Sequence, residues 1–213
     1  IRLSLVGSEM CIRDRFRGEW TLLDRENIET AIDASLERLQ TDYIDLYQLH
    51  WPDRRMSMFG SDGIGYKHYE AETVPILETL RVLSDLVTAG KIRYVGLSNE
   101  TPWGLSEFIK YSEMHDLPRV VSVQNAYNFL NRTYEQGMSE FHHRSQVGLL
   151  AYSPLAQGYL TGKYIDGARP KGARTTLFER GDRYEVAGAN EAVKSYVNYA
   201  NSIETVSYTH LRA

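Results

Sequence analysis

The residues of this chain that could do chemistry stand at the ends of apolar runs. The run Tyr43-Ile44-Asp45-Leu46-Tyr47-Gln48-Leu49 stops at His50-Trp51-Pro52. Aromatic and β-branched residues favour an extended backbone, and Pro52 cannot continue a central ladder, so this is a strand ending near His50. An imidazole at the C-terminal end of a strand is where barrel enzymes hold their chemistry. Taken alone, a core histidine satisfied by a backbone carbonyl is the better account of it. Three further runs end alike: Ile92 to Leu97 in Ser98-Asn99, Val120 to Val123 in Gln124-Asn125, and Val147 onward in Tyr152-Ser153-Pro154. Each has its own plain alternative, a turn ahead of Thr101, a cap for the next element, or a core aromatic. Four such ends in succession favour a shared site.

The intervening segments position these ends. Ile28, Ala31, Ile32, Leu36 and Leu39 recur at helical spacing within Glu26–Gln40, with Asp24 available as a cap. Pro75 near a helix start, then Ile76, Leu77, Leu80, Leu83, Leu86 and Val87, gives a second helix that stops at Gly90. Thr101-Pro102 is a cap followed by a first-turn proline, and Leu105, Phe108 and Ile109 form the apolar face of a third helix running out near His115. A further helix is expected around Tyr134 to Arg144 and a last one near Glu191 to Ala200, with a Gly- and Arg-rich loop after Leu155. Ile92 to Val120 and Val120 to Gly148 are each 28 positions. Strands alternating with helices over short connections imply right-handed βαβ units and a parallel sheet, as in doubly wound sheets and (β/α)8 barrels. Chemistry at every strand end selects the barrel, where those ends converge on one mouth. Four strands are half of eight, so the expected fold is α/β, a partial (β/α)8 TIM barrel.

The loop from Asp53 to Thr73 holds Met56, Met58, Phe59, Tyr66 and Tyr69 and reads as a lid or pocket wall. Its Gly60-Ser61-Asp62-Gly63-Ile64-Gly65 does not join a strand to a helix, so it is not a dinucleotide fingerprint. The chain has 213 residues, 42% apolar and 24% charged, with a net charge of −4 and a pI near 5.9. This composition fits one globular domain and gives no support to a nucleic-acid or membrane-surface partner. No apolar run approaches the ~18 residues of a membrane span. One cysteine, Cys11, excludes an intrachain disulfide and fits a cytoplasmic setting. His142-His143 reads as surface on a polar helix, and no zinc or iron ligand spacing is found, so no metal is expected. Ile1–Arg15 follows neither strand nor helix pattern, and both it and Thr205–Ala213 read as translated sequencing-adapter sequence, a scar of frames assembled from environmental DNA. The expected organisation is therefore 1–15 as a non-native tail, 16–204 as the barrel segment and 205–213 as a second non-native tail.

Four ordered motifs, TDYIDLYQLHWP, GKIRYVGLSNE, VVSVQNAYN and LLAYSPLAQGYLTGKY, resemble the aldo-keto reductase family, in particular its bacterial Tas-like branch. The resemblance spans about Arg25 to Ala200. It implies strands four to seven of the barrel and a parent enzyme that reduces aldehydes or ketones with a nicotinamide cofactor, usually NADP(H). By the same resemblance, His50 is the catalytic histidine that hydrogen-bonds the substrate carbonyl. Ser98, Asn99 and Gln124 bind the nicotinamide carboxamide, whose oxygen and NH₂ suit hydroxyl and amide partners. Tyr152 stacks on the nicotinamide ring. The loop from Ser153, Pro154 and Leu155 to Lys163 closes over the pyrophosphate, with Lys163 and Arg174 supplying positive charge. A solvated basic loop is the plain account of those last residues.

The family's general-acid tyrosine, with the aspartate and lysine that lower its pKa, precedes the His50 strand and has no counterpart among the quoted motifs. Tyr66 and Tyr69 have no recognisable Lys and Asp partners. The adenosine-phosphate-reading segment after the seventh strand is missing as well, so NADP over NAD is implied by the resemblance alone. The chain by itself is expected to be inactive. A cofactor-sensing binding module like the potassium-channel β subunits stays open as the alternative, although that branch commonly carries asparagine where His50 stands.

Overall fold

The computed structural model describes residues 22–54, 68–70, 72–178, 183–203 and 205. Most of the expected lid loop, the whole of the expected tail 1–15 with Cys11, and all of the expected tail 205–213 except Thr205 lie outside these residues. Helix α1 (Arg25–Leu39) starts where the Asp24 carboxylate accepts from the Asn27 amide at 2.9 Å, satisfying a donor that the helix itself cannot. Strand β1 (Ile44–Leu49) follows, then α2 (Ile76–Thr88), which begins directly after Pro75, and β2 (Ile92–Ser98). Helix α3 (Pro102–His115) is capped by Thr101, whose hydroxyl accepts from Gly104 N at 3.2 Å, with Pro102 in its first turn.

Strands β3 (Val120–Ala126) and β4 (Gly148–Tyr152) complete a sheet of order β1-β2-β3-β4, with β1–β2 and β2–β3 parallel. This is the partial barrel that the motifs imply. The two-residue period of the strands separates two faces. Tyr47, Leu49, Val95, Leu97, Val120 and Val123 are at most 3% exposed, and Leu80, Leu83 and Leu86 of α2 and Leu105 and Phe108 of α3 are buried too. Each such aliphatic side chain contributes about 1.5–3 kcal/mol on leaving water. The other face carries Leu46, Gln48, Gly96, Ser98, Ser122 and Gln124. Register pairs Gln48 with Gly96, Gly96 with Ser122, and Ser98 with Gln124. An irregularity opposite Val95/Gly96 leaves Val121 as an extra residue on β3, and this shift aligns Ser122 and Gln124 with those rows.

The backbone forms two compact units, residues 1–125 with 137–150, and residues 126–136 with 151–213. The second contains α5 (Arg174–Phe178), α6 (Ala189–Ser202) and a core of Ala156, Tyr159, Leu160, Tyr164, Tyr184 and Val193. Four local expectations are corrected. The helix expected around Tyr134 to Arg144 is a 3-10 turn, Thr133–Glu135, and a separate α4 (Met138–Ser145), because Gly137 between them has φ +96°. Strand β3 runs on through Gln124-Asn125 instead of stopping at Val123, since its ladder with β2 continues to Ser98. The segment after Leu155 is not plain loop: it folds into 3-10 turns at Ala156–Thr161 and Ile165–Gly167 before α5. His142 is buried at 5% exposure, whereas His143 beside it is exposed.

Candidate active site

His50 is the first residue past β1 and is half-buried, with its ring 5.4 Å from that of Trp51. Its carbonyl accepts from Asn99 Nδ2 at 2.9 Å, which ties the end of β1 to the end of β2. Asn99 occupies the left-handed region at φ +54°, a conformation that asparagine tolerates better than most residues. That turn aims its amide back across the strand ends. The same Nδ2 lies 3.3 Å from Ser98 Oγ, and Asn99 N donates to the Gln124 carbonyl at 3.0 Å. Ser98 Oγ donates to that carbonyl as well, at 2.8 Å. His50, Ser98, Asn99 and Gln124 are therefore brought together at the C-terminal ends of three adjacent strands.

The side-chain donors of Ser98 and Asn99 are already assigned. Ser98 has one hydroxyl hydrogen, committed to Gln124 O, and the Asn99 amide donates to His50 O and Ser98 Oγ. Toward a ligand both side chains are left to accept. The Gln124 side chain has the opposite polarity, because its Oε1 accepts from Gln48 Nε2 at 3.1 Å and its NH₂ group is left to donate. An acceptor pair beside a donor complements a primary carboxamide. Ser98 and Asn99 are 4% and 5% exposed, so both groups are held in fixed positions.

Behind these residues is a second polar cluster. Glu100, with a side chain only 2% exposed, is paired with Arg54 through both carboxylate oxygens. It also accepts from Thr101 N at 2.6 Å. Arg54 donates to Thr101 Oγ1 at 3.0 Å and lies over the Trp103 ring at 4.8 Å. Asn125 holds the backbone on both sides of Glu100, accepting from its N–H at 3.1 Å and donating to its carbonyl at 2.8 Å. Burial raises the Glu100 pKa, and Arg54 and the Thr101 donors offset part of that rise. The buried Asp53 accepts from the Leu23 and Val74 amides and fixes the start of the loop after β1. Sequence reasoning missed Gln48, Arg54 and Glu100. The signal available was weak: a glutamine inside an apolar strand, and an Arg and a Glu at the ends of two neighbouring strands.

In the second unit, Tyr152 is half-buried and its phenol is pushed up to about 12, chiefly by burial. Ser153 has φ +54°, and its carbonyl accepts from Ala156 N at 2.8 Å and Asn128 Nδ2 at 2.9 Å. Asn128, a buried residue the sequence did not single out, also donates to Tyr184 Oη at 3.0 Å and accepts from the Leu130 and Asn131 amides. It sets the loop through the exposed Pro154 and the half-buried Leu155. Lys163 is exposed, its Nζ 5.1 Å from the Tyr164 ring centroid, and Arg174 is an exposed residue opening α5. Among the described residues, no group of three or more His, Cys, Asp or Glu is placed to hold a metal ion, and no helix is long and apolar enough to cross a membrane.

Comparison with known proteins decides the family. The model of the Aldo/keto reductase family matches residues 14–211. The chain belongs to the aldo/keto reductase family. This aldo/keto reductase chain is 49% identical over 178 residues to "Protein tas" of Escherichia coli (strain K12), an alignment covering 84% of this chain and 51% of that protein. It is 42% identical over 191 residues to "Aldo-keto reductase" of Babesia bovis, covering 84% and 67%. To "Aldo-keto reductase YhdN" of Bacillus subtilis (strain 168) it is 35% identical over 143 residues, covering 67% and 36%. It lies in the Tas-like branch and spans about half the length of Protein tas. The four strands accordingly form part of the family's (β/α)8 barrel.

Proposed function

We propose that this chain is the central part of an NADP(H)-dependent carbonyl reductase that converts aldehydes or ketones to alcohols by hydride transfer. The observation that carries this reading is the hydrogen-bond polarity at the strand ends. Ser98 and Asn99 accept while Gln124 donates, a set that fits the nicotinamide carboxamide in one orientation. The bound cofactor would supply the hydride. His50 would donate a hydrogen bond to the substrate carbonyl oxygen and favour the charge that develops there. Tyr152 would provide the aromatic face for the nicotinamide ring, and its high phenol pKa keeps that face neutral at pH 7. The loop from Ser153, Pro154 and Leu155 to Lys163 would cover the pyrophosphate, with Lys163 and Arg174 as the cations. The general acid would come from the part of the parent barrel that precedes β1.

The test uses the full-length protein. NADPH binding is followed by fluorescence titration and turnover by loss of NADPH absorbance with an aromatic aldehyde. His50→Ala is expected to lower kcat by about 10²-fold or more, the scale of one donor lost from a developing oxyanion, with NADPH affinity unchanged. Failure of the wild-type protein to bind NADPH or NADH would overturn the reading. An equal loss of cofactor affinity in His50→Ala would make His50 a structural residue.

A further inference from the structure

Gln48 and Gln124 meet although their strands are not neighbours. The sheet order places β2 between β1 and β3, so two strand spacings of about 4.8 Å separate the backbones. The two glutamine side chains cross β2 from opposite sides and join at 3.1 Å. The residue of β2 that lies in register with Gln48 on one side and Ser122 on the other is Gly96. A Cβ at Gly96 would lie 2.9 Å from Gln48 Cγ, 2.8 Å from Ser122 Oγ and 3.2 Å from Leu46 Cδ1. The missing side chain is therefore the room through which Gln48 passes. A strand that carries Ile92, Tyr94 and Val95 as β-formers has given up a side chain here.

The bridge has a chemical direction. Gln48 Nε2 occupies Gln124 Oε1, so the Gln124 amide is held with its NH₂ outward. Without that bond the amide could turn about its last torsion, exchange its two ends and present an oxygen. Such an oxygen would face the carboxamide oxygen, since the carboxamide NH₂ is already claimed by Ser98 and Asn99. Terminal amide torsions are broad and roughly two-fold, so rotamer preference alone does not fix the choice. Gln48 is not within the row of Ser98 and Gln124 but one register step below it, beside Gly96.

We infer that Gln48 is a positioning residue for cofactor binding: passing over Gly96, it fixes the Gln124 amide with its NH₂ toward the nicotinamide carboxamide oxygen. This rests on the nicotinamide reading proposed above. Gln48 itself touches no reacting atom. It sets the polarity of the one donor in a group whose other members accept.

The test is NADPH titration of the full-length protein with Gln48→Met, Gln48→Glu, Gln124→Met and the Gln48→Met/Gln124→Met double variant. Methionine keeps length and removes hydrogen bonding. Gln48→Met should weaken NADPH about five-fold, the worth of one neutral hydrogen bond, while kcat at saturating NADPH stays near wild type. Glutamate at this position can only accept and would turn the Gln124 NH₂ inward, so Gln48→Glu should weaken NADPH more than Gln48→Met does. In the Gln124→Met background, Gln48→Met should have no further effect, which a general loss of packing would not produce. Thermal unfolding of each variant identifies any that is misfolded. The inference fails if Gln48→Met binds NADPH like wild type, if the two effects simply add, or if Gln48→Glu binds as well as wild type while Gln48→Met does not. Absence of nicotinamide nucleotide binding in the wild-type protein would overturn the functional reading and this inference with it; normal wild-type binding with an unaffected Gln48→Met overturns the inference alone.

Discussion

Gly104 lies in the first turn of α3, and replacing it with alanine sets two effects against each other. In an unencumbered helix, Gly→Ala gains about 1 kcal/mol. Here the new Cβ would land on Arg54 Nη2 and on Glu100 Oε1 and Cδ. Glu100 cannot move aside cheaply, because its side chain is 2% exposed and holds both Arg54 and Thr101 N. Displacing a carboxylate from a buried pair costs about 3–5 kcal/mol, so Gly104→Ala should destabilise the full-length protein by about 2–4 kcal/mol after the helical gain. With an m-value near 2 kcal/mol/M, the urea midpoint should fall by about 1–2 M. A midpoint equal to or above that of wild type would refute the reasoning, since helix propensity would then have outweighed the pair. A second measurement isolates the cause. Glu100→Ala removes the obstructing carboxylate and with it the partner that holds Arg54 Nη2 in place, so Gly104→Ala added to it should be near neutral or gain up to about 1 kcal/mol, and an additive loss would mean that displacing the carboxylate is not the cause.

Gly137 offers the opposite case, space without conformational freedom. A Cβ there would meet only Pro102 Cγ at 3.7 Å, but φ is +96°, so Gly137→Ala should cost about 1–3 kcal/mol through backbone strain, again read from the urea midpoint. An unchanged midpoint would show that the turn before α4 can relax. For His142, burial holds the imidazole pKa below its ordinary value, so below about pH 6.5 the unfolded chain binds a proton that the folded protein refuses. Stability should therefore fall as pH drops through that value, and His142→Met should lose less stability than wild type between pH 7.5 and pH 5.5. Parallel urea midpoints for the two proteins across that interval would count against a buried, neutral His142.

Much of the fold could be read locally. Asp24, Thr101 and Pro102 mark helix starts through short-range hydrogen bonds and a fixed φ, and the structure has them in those roles. The strand ends were legible because apolar runs stop abruptly. What escaped depended on partners far along the chain. Arg54 and Glu100 are 46 positions apart and each resembles a solvated charge until β1 and β2 lie side by side. Gln48 and Gln124 are 76 apart, and nothing in either motif indicates that their side chains cross above a glycine. Gly137 was equally opaque, because glycine's residue type permits positive φ without requiring it. His142 took the character of its polar neighbours, whereas only the fold determines which side of α4 is covered.

The ends of β2 and β3 divide their work by the two-residue period of a strand. On β3, Gln124 turns its side chain to the row containing Ser98, while Asn125, one residue on, holds the backbone of Glu100. On β2, Ser98 belongs to the same row, and after the left-handed turn at Asn99 the chain buries Glu100 against Arg54. Consecutive residues thus serve separate ends, one turned to the row of the candidate site and the next fixing the backbone that follows Asn99. A one-residue slip in register would exchange the two sets, burying the amide of Gln124 and exposing that of Asn125. The extra residue at Val121 is what sets this phase on β3, since it returns Ser122 and Gln124 to the rows of Gly96 and Ser98. The irregularity in the ladder is therefore a condition for the site, because a regular ladder continued from Val120 opposite Val95 would have placed Val121, and then Val123, where Ser122 and Gln124 now stand.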